Sequence, residues 1–404
     1  MTRYRKREIT GVLTDALKNM PVVVLSGMRQ TGKSTLLLNQ QQLRGRKYLS
    51  FDDFGTLDAA RRNPEELISG TGPVTIDEAQ KNPEIMNAIK REVDKNRKPG
   101  RFLLSGSANF LLLKNIAESL AGRALYLTLP PFTRREIQGT REQPAIIHFI
   151  NEGSFPERKA SPISWQEILK GGMPPVCLGE VKNPDVWFRG YEQTYLERDI
   201  RALNQVADLV AFRRLLQLTA LRSAQIMKQS ELARDAKLNA MTASRYLSLM
   251  ETSFIIRLMP PNLRNRSSRL VKSPKLYLSD TGLASYLAGV KKTGANEPMS
   301  GALLENYAAQ NLDGILSAHC PHAKIGYWNI QGRYEVDFII ETGNETIAIE
   351  IKNSSRWAES DLTGLRAYLN SARECRAAIL ACNTQEVHRI ENKIWVAPIH
   401  LLLS

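Results

Sequence analysis

Gly27-Met28-Arg29-Gln30-Thr31-Gly32-Lys33-Ser34, preceded by Val22-Val23-Val24-Leu25 and followed by Thr35-Leu36-Leu37-Leu38, decides the reading of this 404-residue chain. The apolar run reads as a buried strand, a glycine-bearing loop follows at once, and a helix-forming run starts at Lys33. A Gly, four free positions and then Gly-Lys-Ser is the spacing of a phosphate-binding loop. Its glycines let successive backbone N–H groups turn inward around a phosphate chain, at a helix N-terminus that already favours anions. The nucleotide-binding set is therefore Gly27, Met28, Arg29, Gln30, Thr31, Gly32, Lys33, Ser34 and Thr35. Lys33 would reach the β- and γ-phosphates of ATP, and the Ser34 hydroxyl would bind Mg²⁺.

Pro73-Val74-Thr75-Ile76-Asp77-Glu78 reads as a second short buried strand, ending in two adjacent carboxylates. Alone, such a pair is often only a strand end meeting solvent. Its spacing after the loop, with a helix and another strand between, favours hydrolysis. Asp77 would help hold Mg²⁺, and Glu78 would polarise the attacking water as general base.

The next core strand, Arg101-Phe102-Leu103-Leu104-Ser105-Gly106-Ser107, ends in hydroxyls. It resembles the strand on which ATPases of the AAA+ type carry a polar γ-phosphate sensor, so Ser105 or Ser107 is a candidate. Arg123, just before the apolar strand 124–129, resembles the AAA+ arginine finger, which serves the site of a neighbouring subunit and implies a homo-oligomer. A surface arginine favoured by a helix C-terminus would fit the same place.

The chain is 43% hydrophobic and 24% charged, the composition of a soluble globular protein of two to four domains. Cys177, Cys320, Cys375 and Cys382 follow no metal-binding or redox spacing and read as reduced thiols, which places the chain in the cytoplasm. The basic N-terminus has no apolar signal core behind it, and no apolar run approaches membrane-spanning length. Net charge is +14. Residues 1–140 carry 23 basic against 14 acidic side chains, residues 141–290 carry 21 against 14, and residues 291–404 carry 11 against 13. A basic excess in the first two thirds points to a polyanionic partner, with DNA the leading class.

The expected fold is α/β: a parallel-sheet core over residues 1–140, a helical connector over 141–205, a winged helix over 206–290 and a second α/β domain over 291–404. Tyr48–Asp53 would be a core strand ending in acids near the nucleotide face, and residues 141–165 a loop or connector. Gly171-Gly172-Met173-Pro174-Pro175 marks a sharp break between helices. Three helical stretches near 209–222, 230–236 and 241–251 precede strands at Phe254–Leu258 and Lys275–Leu278, the order of a winged helix. The segment from Thr252 to Ser279 holds no acid but carries Arg257, Arg264, Arg266, Arg269, Lys272 and Lys275. Arg264, Arg266, Arg269 and Lys272 would contact a nucleic-acid backbone. The competing reading is a wing that packs on another domain.

In the last hundred residues, Glu335-Val336-Asp337-Phe338 and Thr346-Ile347-Ala348-Ile349-Glu350-Ile351-Lys352 read as two strands of a hairpin. Period-2 alternation puts Glu350 and Lys352 on one face, where Asp337 can join them, and Glu305 on a preceding helix could add a fourth group. Such a set can hold Mg²⁺ and activate a hydroxide. It resembles the restriction-endonuclease-like PD-(D/E)XK superfamily, with Asp337, Glu350 and Lys352 on the motif positions, Glu305 matching the helical acid, and Val336 where the motif's proline would stand.

Over nearly its whole length the chain resembles a family of prokaryotic AAA-type ATPases whose C-terminal half is a domain of unknown function. The matching segments include Thr75–Gln80, Leu120–Arg123, Gly171–Pro174, Tyr195–Ile200, Tyr277–Leu283 and Glu335–Phe338. The resemblance implies an ATPase core, a winged helix and a nuclease-like fold, in that order. The leading expectation is an ATP-driven, DNA-processing protein with Mg²⁺-dependent cleavage. The alternative is an ATP-operated switch or scaffold whose nuclease-like domain is silent and binds a partner.

Overall fold

The computed structural model describes residues 4–106, 120–195, 200, 208–263, 269, 272–292, 297–330 and 332–404. Its N-terminal sheet contains β1 (Val22–Ser26), β2 (Lys47–Ser50), β3 (Val74–Asp77), β4 (Phe102–Ser105) and β5 (Ala124–Thr128) in the order β2-β3-β4-β1-β5. Every pairing is parallel, with Val22 beside both Phe102 and Ala124. The unbroken apolar runs follow from this: β1, β3 and β4 are buried at every residue, as strands covered on both faces must be. Helix Ile85–Lys95 buries Ile85, Met86, Ala88, Ile89 and Val93, the stripe expected of a helix lying on a sheet. The carboxyl ends of β1, β3 and β4 bring the phosphate loop, Asp77 and Ser105 to one edge, where open α/β sheets bind ligands.

Two local expectations fail here. β2 stops at Ser50, because Asp53 caps the helix Phe54–Arg62 by accepting the Thr56 N–H at 2.7 Å. Asp52 instead pairs with Lys81. Residues 141–165 are not one loop, since helix Ala145–Glu152 forms there with Ala145, Ile146, Ile147 and Phe149 buried.

The middle of the chain runs helix Leu209–Leu221, β6 (Gln225–Ile226), helices Gln229–Asp235 and Ala240–Thr252, β7 (Ile256–Met259) and β8 (Lys275–Leu278). The three strands form an antiparallel sheet in the order β6-β8-β7. Helix Thr281–Ala288 follows, and then the 20-residue helix Ser300–His319.

The C-terminal sheet holds β9 (Lys324–Ile330), β10 (Tyr334–Thr342), β11 (Glu345–Ile351), β12 (Cys375–Cys382), β13 (His388–Glu391) and β14 (Ile394–Pro398), in the order β13-β14-β12-β11-β10-β9. β10 and β11 form the expected hairpin, turning at Gly343 with φ +63°. The register of β10 against β9 slips between Val336 and Ile339, a bulge that re-aims Asp337.

Helix Ser300–His319 is held by buried amides to β8, to the start of helix Thr281–Ala288 and to the segment that follows β5. Asn306 accepts the Leu278 N–H at 2.9 Å and donates to the Leu278 carbonyl at 3.0 Å, so it pairs with β8 as a neighbouring strand would. Gln310 accepts from the Thr281 N–H at 3.0 Å and donates to the Phe132 carbonyl at 3.3 Å. Asn311 accepts the Arg134 N–H at 2.6 Å. Each bond satisfies a backbone group that would otherwise be buried unpaired, so the contacts fix orientation as well as adhesion.

Candidate nucleotide site and C-terminal carboxylate cluster

The phosphate loop leaves β1 at Gly27, whose φ is +143° and where a Cβ would stand 2.4 Å from the Leu129 carbonyl oxygen. No other residue fits there. Gly32, at φ +90°, starts the helix Lys33–Asn39. The Lys33 ammonium is buried and donates to the Gly27 carbonyl at 3.1 Å and the Met28 carbonyl at 2.7 Å, which holds it inside the loop. A cavity of about 380 Å³ adjoins the loop, lined by Arg29, Lys33, Ser34 and Glu78 and also by Pro174, Pro175, Leu178 and Glu180. The expected loop residues therefore face a nucleotide-sized space that is completed by the middle of the chain.

Asp77, next to Glu78 at the end of β3, is 2% exposed. The Tyr48 hydroxyl donates to its Oδ2 at 2.7 Å and the Ser105 hydroxyl to its Oδ1. Ser105, expected as a sensor, is fully buried and its hydroxyl orients Asp77; Ser107 lies outside the described residues. Glu78 lines the cavity with a left-handed backbone (φ +54°), and Gln80 donates to its carboxylate. Burial and the hydrogen bond to Asp77 push the Tyr48 phenol well above its ordinary range, which keeps it a proton donor.

Arg7 was not singled out by sequence reasoning, and it buttresses the loop. It is 2% exposed and donates to the Thr31 carbonyl at 2.7 Å, the Pro130 carbonyl at 2.5 Å and Glu136 Oε1 at 3.0 Å. Its guanidinium also lies 4.3 Å over the Phe132 ring. The one sequence signal was a basic cluster just ahead of the first helix, which reads equally as surface charge.

Arg123 stands at the amino end of β5, opposite the phosphate loop. It makes a two-pronged pair with Asp94, Nε to Oδ1 at 2.7 Å and a terminal nitrogen to Oδ2 at 2.9 Å. Any service to a neighbouring site would require it to leave Asp94.

The C-terminal carboxylates do meet, but around an ammonium. Lys275 Nζ lies 2.7 Å from Glu305, 2.7 Å from Glu335 and 3.0 Å from Asp337, with its side chain 1% exposed. Glu305 also accepts the Tyr277 hydroxyl at 2.6 Å, and Asp337 Oδ2 accepts the Ile351 N–H at 2.9 Å. Glu350 pairs through Oε1 with Lys352 at 2.8 Å, while its Oε2 is buried without a hydrogen-bond partner. Burial, reinforced by the charge of Asp337, pushes both Glu305 and Glu350 up to about 8. Burial works against the Lys275 charge, yet the surrounding acids outweigh it and hold this lysine well above its ordinary value.

The expectation that Glu305, Asp337 and Glu350 form a Mg²⁺ set is thus corrected. Among the described residues no three His, Cys, Asp or Glu side chains gather in a way that could hold a metal ion. The residues as placed do not fit a resident divalent ion, because a lysine already stands among the carboxylates.

The acid-free stretch 252–279 finds its acids elsewhere in the chain. Arg269 pairs with Glu341 at 2.6 Å, Arg257 with Asp313, and Lys275 with the cluster above. Burial lowers Arg257 to about 10. Arg269, expected at a nucleic-acid backbone, here bonds β10 to the segment joining β7 to β8. Lys272 is exposed, and Arg264 and Arg266 lie outside the described residues.

With the geometry in place, comparison with known proteins is informative. Residues 19–138 match the family model described as an AAA domain, residues 163–294 a domain of unknown function (DUF8612), and residues 300–402 a domain of unknown function (DUF4143). The chain is 32% identical over 358 residues to the uncharacterized proteins Rv2008c of Mycobacterium tuberculosis and Mb2031c of Mycobacterium bovis, an overlap of 87% of this chain and 74% of theirs. Among solved structures, the Walker-type ATPase PABY2304 of Pyrococcus abyssi is similar at 15% identity and a TM-score of 0.44, over 71% of this chain and 99% of that one.

Proposed function

We propose, for a chain that belongs to the family of Rv2008c and Mb2031c and carries the AAA domain of an ATP-hydrolysing P-loop enzyme, that it works as an ATP-operated switch. The observation that carries this reading is the composition of the nucleotide cavity. Lys33, Ser34 and Glu78 line it together with Pro174, Pro175, Leu178 and Glu180 of the middle segment. A nucleotide lying there touches both, so its binding energy depends on how the two are seated. That dependence is the thermodynamic requirement for a ligand to shift a conformational equilibrium.

In this reading the loop N–H groups and Lys33 cradle the phosphates, and Ser34 with Asp77 would hold Mg²⁺, which supplies charge neutralisation of the phosphates when bound. Ser34 lines the cavity, and Asp77 is next to Glu78, with one oxygen held by Tyr48 and the other by Ser105. Glu78 takes a proton from water as the water oxygen bonds to the γ-phosphorus. The bond from that phosphorus to the bridging oxygen breaks, leaving ADP and phosphate.

The test is hydrogen exchange on the Glu78→Gln protein with ATP or ADP. ATP should slow exchange in residues 171–178 and alter it in residues 275–290. Protection confined to residues 19–138 would rule the switch out.

A second reading, contact with DNA, is supported by the basic excess of residues 1–290 and the exposure of Lys272. Its test is the salt dependence of duplex binding. A Lys272→Ala protein with the slope of the unaltered chain would remove this residue from the contact.

A further inference from the structure

The lysine among the C-terminal carboxylates comes from outside their sheet. Lys275 is the first residue of β8, which pairs with β6 and β7 in the small sheet of the middle unit. Glu335 and Asp337 belong to β10, and Glu305 to the helix Ser300–His319. An ammonium has three N–H donors, and carboxyl oxygens at 2.7, 2.7 and 3.0 Å give each donor an acceptor.

The remaining oxygens are arranged to suit. Tyr277, two residues along β8 from Lys275 and hence on the same face, donates to Glu305, and the Ile351 N–H donates to Asp337 Oδ2. Glu350 Oε2 alone is buried and unpartnered, on a residue 8% exposed that lines the same small cavity as Glu305, Glu335 and Asp337. That leaves one buried oxygen without a donor among the carboxylates that face Lys275. A divalent ion, however, needs oxygens about 2.0–2.6 Å away and would lie against the positive charge of Lys275.

We propose that the Lys275 ammonium is the built-in occupant of the cation position in this pocket. The middle unit supplies it through β8, and its charge keeps Glu305, Asp337 and Glu350 from taking up a divalent cation. With the lysine in place the residues do not fit a resident metal; with its charge removed they are carboxylates of the kind Mg²⁺ or Mn²⁺ binds. This inference does not rest on the nucleotide reading, since neither half of it involves the phosphate loop.

The experiment is a Mn²⁺ titration of the full chain without nucleotide, followed by electron paramagnetic resonance, with thermal melting run in parallel. The unaltered protein should show no Mn²⁺ site that Asp337→Asn removes. Lys275→Met should gain one, at least about tenfold tighter than any Asp337-dependent binding to the unaltered chain. Lys275→Met/Asp337→Asn should lose it again. Mn²⁺ should also raise the melting temperature of Lys275→Met but not of the unaltered protein. An Asp337-dependent Mn²⁺ site in the unaltered chain would overturn the proposal, as would a folded Lys275→Met protein that gains none. If Lys275→Met does not fold, Lys275→Gln replaces it, and the comparison of the unaltered protein with Asp337→Asn still decides whether the pocket is metal-free.

Discussion

The Gly172 N–H donates to Asp280 Oδ2 at 2.6 Å, and this one bond ties the wall of the nucleotide cavity to the residues just after the strand that carries Lys275. On one side, the Gly172 carbonyl accepts from the N–H of Phe132, the residue under the Arg7 guanidinium that also holds the phosphate loop at Thr31. On the other, Asp280 caps the helix Thr281–Ala288 by accepting the Leu283 N–H at 2.8 Å, five residues after Lys275. A set of contacts therefore runs from the loop through Arg7, Phe132 and Gly172 to Asp280, two residues past the end of β8. These are buried bonds with defined partners, which change by breaking and re-forming rather than by bending.

The glycines at this joint are tested most simply. A Cβ on Gly172 would lie 2.3 Å from the Phe132 carbonyl oxygen, which is backbone and cannot move aside cheaply. Gly172→Ala should destabilise the chain by about 1–3 kcal/mol, the cost of forcing atoms into a packed site. Gly179→Ala, where the added carbon meets nothing but φ is +73°, is the control for backbone strain alone. Urea unfolding should place Gly172→Ala clearly below it.

Asp280 gives the joint a pH dependence. Burial raises its carboxyl from 3.8 to about 6, although N–H groups of Gly172 and Leu283 pull the other way. The folded value lies above the unfolded one, so the folded chain binds the extra proton between them. This contribution is full below about pH 4, falls as pH rises toward 6 and is flat above it. Asp280→Asn cannot titrate. It should lower stability throughout, because its amide offers one acceptor oxygen where two N–H donors wait. The gap between the two proteins should change between pH 4 and 6 and stay constant from 6.5 to 8, read by urea midpoints. A constant gap across the whole range would refute the titration.

How far the sequence carried the reading follows from how local each signal was. Val22–Leu25, Gly27, Gly32 and Lys33 form strand, turn and helix start within a dozen residues, so short-range pattern sufficed to find the loop. Asp77-Glu78 was equally legible, because a buried strand ends there. Arg7 was not, since its partners Thr31, Pro130 and Glu136 are 24, 123 and 129 residues away. The same limit undid the charge reading of residues 252–279. Nothing local distinguishes a lysine bound for phosphate from Lys275, whose acids Asp337 and Glu335 lie 62 and 60 residues on. β6 was missed because two residues are too few to display a period. The order of elements was readable; which faces of those elements meet was not.

Glu78 and Tyr48 separate chemistry from support. Glu78→Gln should lower the ATP hydrolysis rate by about 10²–10⁴-fold while ATP still binds, because only the base is lost. Tyr48→Phe removes the donor at 2.7 Å from Asp77 and leaves the ring in place. It should weaken Mg²⁺-dependent ATP affinity more than it slows turnover, since Asp77 then loses one of the two hydroxyls that aim it. Steady-state hydrolysis with a Mg²⁺ titration distinguishes the two. Equal losses of turnover in both variants would place Tyr48 in the chemistry instead.

Arg123 and Asp94 decide whether neighbouring chains share a site. The hydrogen bonds from Arg123 hold the Asp94 carboxyl below its usual range, and Arg123 is raised in return, but both groups reach solvent and the pair can exchange for another partner at little cost. If Arg123 serves the γ-phosphate of an adjoining subunit, Arg123→Ala should reduce hydrolysis by about 10³-fold or more with ATP affinity nearly unchanged. Asp94→Asn should keep full activity or gain some, because it releases the arginine. Specific activity should also rise with protein concentration as subunits meet. Mixing Arg123→Ala with Lys33→Ala is the decisive arm: each protein is inactive alone, and in a mixed assembly an intact arginine faces an intact phosphate loop. Recovered hydrolysis would establish the shared site, and an Arg123→Ala protein as active as the original would confine Arg123 to its pair with Asp94.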